Sequence, residues 1–147
     1  MVRRLKRQNI CNDIIEASLD ELWRESDVIT LHLPLVDDTR EIINTATIQR
    51  MKPGVILINT ARYELVNEAA LLKGLADGTI KGLGLDVYAD EPPTDHPLMK
   101  FPNVVLSPHA GSHTIEARTR MADMAVKNLI DVLSGSPCAS MVTPTAG

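Results

Sequence analysis

An open α/β fold with a mostly parallel sheet is the class this sequence predicts, and three observations predict it. Four apolar runs alternate with helical patterns. The links between them are short, the rhythm of strand–helix–strand units. Three chemically distinctive residues, Arg62, Glu91 and His109, each lie just past an apolar run that reads as a strand. In open α/β sheets ligands bind beyond the carboxyl ends of the strands. A guanidinium, a carboxylate and an imidazole delivered to that edge suit a small anionic carbonyl compound.

Each element has its own warrant. Ser18 can cap a short helix to about Glu25, with Glu21 three residues on as capping-box partner. Residues 28–33 read as a strand ended by Pro34. Asn44 to about Lys52 reads as a helix, broken by Pro53 and Gly54. The continuous apolar run 55–58 predicts a strand buried on both faces. Asn67 caps a helix from Glu68 to about Ala76, and Asp77 and Gly78 stop it. Residues 80–88 form a third strand, with Gly82 and Gly84 inside. Those glycines suit either close approach of a helix or cofactor, or simple packing. A proline-rich loop from Glu91 to Phe101 leads to a fourth strand, 104–106. A long helix runs from about Ser112 or Thr114 to Leu133, with Ile115, Met121, Met124, Ala125, Leu129 and Val132 available for an inner face. Ser134 and Gly135 end it. Residues 1–135 thus read as one partial domain, and 136–147 as a loose tail.

Composition narrows the class. The 147 residues are 44% apolar and 23% charged, as in ordinary globular domains. With only one Trp, two Tyr and one Phe, the core must be aliphatic. A net charge of -4 argues against a nucleic-acid partner. The basic cluster Arg3, Arg4, Lys6 and Arg7 reads as a solvated end. No apolar run approaches the roughly 20 residues that cross a bilayer, so no membrane role is expected. Cys11 and Cys138 form no CxxC pair, and reduced thiols fit a cytoplasmic setting.

His109 and His113, with Glu116 beyond, have a spacing that on a helix would suggest metal ligands. Pro108 and Gly111 place His109 in a loop or at a helix start instead, so no metal is expected. Taken singly, Arg62 reads as a surface cation, Glu91 as a solvated carboxylate and His109 as a packing residue. Taken together, in this order past successive strands, they read as a site.

Four stretches carry a resemblance: residues 26–34, residues 51–62, residues 84–88 through Glu91, and residues 107–109 through Glu116 and Ala117. In order and spacing, the chain from about Leu19 to Gly135 resembles the C-terminal part of the nucleotide-binding domain of the D-isomer-specific 2-hydroxyacid dehydrogenases. The resemblance implies a partial doubly wound, Rossmann-like sheet lacking its N-terminal strands. It also implies hydride transfer between NAD or NADP and a small 2-oxo or 2-hydroxy acid, with the phosphoglycerate or hydroxypyruvate branch favoured. Arg62 would hold the substrate carboxylate, His109 would be the general acid, and Glu91 would keep His109 protonated. Asp86 would contact the nicotinamide end of the cofactor, while His32, Leu33, Pro34, Thr60, Ala61 and Gly111 would line its groove. The residue types suit these tasks. Arginine offers a planar fork matched to a carboxylate. Histidine titrates near neutral pH.

The chain also departs from that family. It contains no glycine-rich phosphate loop, and most of the substrate domain is absent, the tail being a candidate remnant. The family usually has glycine after the arginine, where this chain has Tyr63, which bears on turn geometry and substrate size. Arg3 and Arg4 near a 2′-phosphate would keep NADP open beside NAD. The expectation is an incomplete chain that binds dinucleotide weakly, is inactive alone and forms a homo-oligomer. The alternative is a non-catalytic dimerisation or corepressor-like binding module.

Overall fold

A computed structural model describes residues 16–91 and 93–142 of the chain. The expectations for Arg3, Arg4 and Cys11 therefore lie outside the described residues. The chain divides into two compact units, the first ending at His109 and the second starting at Ala110.

The first unit is built on a parallel sheet in the order β1-β2-β3-β4, with β1 at Val28–Leu31, β2 at Val55–Asn59, β3 at Ile80–Leu85 and β4 at Val104–Leu106. A helix, α1 (Leu19–Glu25), precedes the first strand, and its Ser18 and Glu21 form the expected capping box. Asn44 caps α2 (Thr45–Ile48) by accepting from the N–H groups of Ala46 and Thr47. Asn67 caps α3 (Glu68–Ala76) through the Ala70 N–H. Gly54 and Gly78 take positive φ at the two tight turns that lead into β2 and β3, a conformation that favours glycine.

The strands are shorter than the apolar runs suggest. The first stops at Leu31 rather than residue 33, and the third at Leu85 rather than residue 88. The chain turns away there to build the edge described below. The second helix ends at Ile48 and not near Lys52, because the turn around Met51 is tied by shorter i→i+3 bonds.

Burial also differs from expectation. Strand β2 alternates, with Val55, Leu57 and Asn59 buried and Ile56 exposed. One face of the sheet carries the core: Ile29, Leu31, Leu57, Leu83 and Leu85 pack with Trp23, Ile48, Leu71 and Leu75. Each such aliphatic side chain contributes about 1.5–3 kcal/mol on burial. On the other face Val28, Ile56 and Val105 remain exposed, so the expected burial on both faces is corrected to one. Gly82 and Gly84 have ordinary room, since a Cβ would lie 3.5 Å and 3.7 Å from its nearest neighbours in Ile56 and Ile58. The close approach falls at Gly74 instead, where a Cβ would stand 2.8 Å from Ile80 Cδ1.

The second unit contains α4 (Ile115–Leu133), capped by Thr114 through the Ala117 N–H and ended at Gly135, which has φ of 71°. No residue of α4 is buried.

Candidate active site

The strand register builds the site. Leu31 pairs with Asn59, Asn59 with Leu85, and Leu85 with Leu106. The last residues of all four parallel strands therefore stand in one row. Whatever follows them, His32, Thr60, Asp86 and Ser107, emerges at one sheet edge.

Past β2, Asn59 shapes the turn that presents Arg62. Asn59 is 2% exposed. Its Oδ1 accepts from the Ala61 N–H at 3.0 Å, and its Nδ2 donates to the Arg62 carbonyl at 2.8 Å. Arg62 is exposed in extended backbone, and a 3-10 turn, Tyr63–Leu65, follows. Tyr63 is absent from the residues with positive φ. The turn therefore makes no demand for glycine at that position.

Past β3 and β4, a second network fixes Glu91 and His109. The Tyr88 hydroxyl is shared between the Leu85 and Ser107 carbonyls at 3.0 Å and 2.9 Å. The Tyr88 N–H donates to Glu91 Oε1 at 3.2 Å. Both Glu91 oxygens face His109 Nδ1, at 3.0 Å and 2.8 Å. The bond to His109 is the leading reason that the Glu91 carboxyl is held below the ordinary carboxylate range. His109 itself takes φ of 54°. For a non-glycine residue that conformation costs about 1–3 kcal/mol, and such strain clusters at functional sites.

Arg62, Glu91 and His109 line one cleft of about 420 Å³, together with Tyr63, Glu64, Val87, Tyr88 and Ala89. A cation, an imidazole and its carboxylate partner thus share a space that suits a small anion. Nδ1 is occupied by Glu91, which leaves Nε2 as the ring nitrogen for a ligand.

The residues expected to meet a dinucleotide are placed along the same edge. His32 and Pro34 are exposed past β1 and Leu33 is half-buried; Thr60 is exposed and Ala61 half-buried past β2. His32 Nε2 lies 2.9 Å from Thr30 Oγ1. Asp86 is buried, and its Oδ1 accepts from the Ser107 hydroxyl at 2.6 Å. Gly111 belongs to the second unit. No glycine-rich turn occurs in the sequence to take the pyrophosphate.

Asn59, Tyr88 and Ser107 shape the site, and the sequence reading does not single them out. A polar residue closing an apolar run is the available signal for Asn59.

Comparison with known proteins agrees with this fold. Residues 2–111 match the model of the D-isomer specific 2-hydroxyacid dehydrogenase, NAD binding domain. The glyoxylate reductase of Thermofilum pendens is 45% identical over 141 residues, covering 95% of this chain and 42% of the relative. The glyoxylate/hydroxypyruvate reductase B of Pectobacterium carotovorum is 48% identical over 127 residues, covering 86% and 40%. Among solved structures, the TT0316 protein of Thermus thermophilus superposes with a TM-score of 0.82 at 45% identity, over 86% of this chain and 41% of that one. The D-lactate dehydrogenase of Lactobacillus jensenii, solved with NAD+, gives 0.80 at 31% identity, over 87% and 43%. The chain thus spans about two fifths of the length of these relatives. With the family model covering most of its residues, and four parallel strands in one register row behind Arg62, Glu91 and His109, the chain belongs to the D-isomer specific 2-hydroxyacid dehydrogenases.

Proposed function

We propose that Arg62, Glu91 and His109 are the substrate-facing residues of a reversible reduction of a 2-oxo acid to a D-2-hydroxy acid. The observation that carries this reading is the His109 Nδ1–Glu91 pair, at 2.8 Å, in the same cleft as Arg62. The Arg62 fork binds the substrate carboxylate and thereby orients the adjacent carbonyl. A nicotinamide cofactor, when bound, would supply the hydride as NADH or NADPH in reduction and take it back as NAD or NADP in oxidation. His109 donates a proton from Nε2 to the carbonyl oxygen as the carbonyl π bond breaks and the new C–H bond forms. Glu91, in contact with Nδ1, orients the ring. In oxidation the same nitrogen takes the hydroxyl proton back. A positioned acid of this kind is worth on the order of 10²–10⁴ in rate.

The relatives named as glyoxylate and hydroxypyruvate reductases favour small 2-oxo acids as substrates here. The test is a chimaera in which this chain replaces the matching 42% of the Thermofilum pendens reductase. NADH oxidation is followed with glyoxylate and hydroxypyruvate. Arg62→Lys keeps the charge and loses the fork, so KM should rise at least about tenfold and kcat should fall as well. Unchanged constants in that variant would remove Arg62 from substrate binding.

A further inference from the structure

The cleft has a wall that the proposed chemistry does not use. Tyr63 directly follows Arg62 and lines the cleft beside it. Its side chain is not free to swing. The hydroxyl donates to Glu68 Oε2, on the first residue of α3. The same oxygen stands 3.9 Å from Nε2 of His96, whose side chain is mostly buried. His96 Nδ1 accepts from the Leu98 N–H at 3.4 Å, which leaves Nε2 to carry the proton toward Glu68. The His96 ring in turn meets the Tyr88 ring edge-on, with centroids 6.0 Å apart. Tyr88 is the other aromatic residue lining the cleft. One Glu–His pair therefore braces both aromatic residues. Burial, and then the neighbouring Glu68 carboxylate, push the Tyr63 hydroxyl above its ordinary range, so it stays a donor.

We propose that Tyr63 is a specificity-determining residue that limits the size of the substituent on the 2-oxo acid held by Arg62. The substrate carboxylate is anchored at Arg62, so its distance from the neighbouring residue is fixed. A small substituent fits beside a pinned phenol ring. A branched or aromatic one meets it. Because the ring is tied to Glu68, the cleft cannot widen there by a simple rotamer change. A smaller residue at the same position opens that side of the cleft. This inference rests on the reading of Arg62 as the carboxylate receptor, and its test separates the two.

The test uses the full chain with ¹⁵N labelling and follows the Arg62 Nε–H resonance. Pyruvate and 4-methyl-2-oxopentanoate are titrated separately. Both are monoanions, so charge is constant and only the substituent changes. The wild-type chain should bind pyruvate at least about tenfold more tightly than the branched acid, the scale of discrimination that packing gives. In Tyr63→Ala the two affinities should converge to within about twofold. Tyr63→Trp, which enlarges the ring instead of removing it, should discriminate at least as strongly as wild type. It keeps the question answerable if the alanine variant fails to fold. Equal binding of both acids by the wild-type or tryptophan protein overturns the size limit and leaves Arg62 as the receptor. Failure of both acids to move the Arg62 resonance overturns the Arg62 reading and this inference with it.

Discussion

At the residue scale, the site depends on a strained histidine held by a paired carboxylate. His109 accepts a left-handed backbone at φ of 54°, and its Nδ1 is gripped by both oxygens of Glu91. The hydrogen bond from His109 holds the Glu91 carboxyl below its ordinary range. Glu91→Gln keeps the shape of that side chain and removes the carboxylate that orients the ring, so kcat for 2-oxo acid reduction by the chimaera should fall. An unchanged kcat would make Glu91 a loop carboxylate. The lowered Glu91 value also links to stability. A carboxylate with a depressed folded-state value contributes above its ordinary range, and the contribution is lost as pH falls through the lowered value. Much of this scale is legible in the sequence, because arginine, glutamate and histidine each stand past an apolar run. Asn59 is not. Its importance comes from two side-chain bonds to the backbone of its own turn, and composition and periodicity carry no trace of these.

At the element scale, register does the positioning. Leu31, Asn59, Leu85 and Leu106 stand in one row, and α3 presses on β3 to hold that row against the core. Gly74 sits at this contact, with Ile80 Cδ1 at 2.8 Å and Cγ1 at 3.0 Å from a notional Cβ. Two effects compete in Gly74→Ala. Helix propensity favours alanine by about 1 kcal/mol. Overpacking costs about 1–3 kcal/mol, and Ile80, with 0% exposure, has little room to yield. Crowding should therefore win, lowering the urea midpoint by a net loss of up to about 2 kcal/mol. A raised midpoint would show that Ile80 rotates away at no cost. The helices and strands with strong signals, α1 with its capping box, α3 with Asn67 and β4, lie where their sequence patterns place them. The 3-10 turns Asp37–Thr39, Tyr63–Leu65 and Pro97–Lys100 are not legible. Such turns are too short to print a period on the sequence. The single-faced burial of β2 departs from its sequence pattern for a related reason. An apolar run records which residues tolerate burial, not how many layers cover them.

At the scale of the whole molecule, the sheet and the family agree. The sequence has no glycine-rich turn to bind the pyrophosphate. Calorimetric titration of the chain with NADH and with NADPH should therefore reveal no site tighter than about 1 mM, equivalent to roughly 4 kcal/mol. Micromolar binding would mean that another segment replaces that turn. We also propose self-association, because α4 is amphipathic in sequence yet has no buried residue. Sedimentation should give a dimer or larger species, and a monodisperse monomer would count against it. The most direct test of the central claim is the turnover of the chimaera with His109→Ala. Removing the proton donor should lower kcat for glyoxylate reduction by on the order of 10²-fold or more, with NADH affinity unchanged. An active chimaera whose kcat is the same with alanine at position 109 would contradict the assignment of His109 as the general acid.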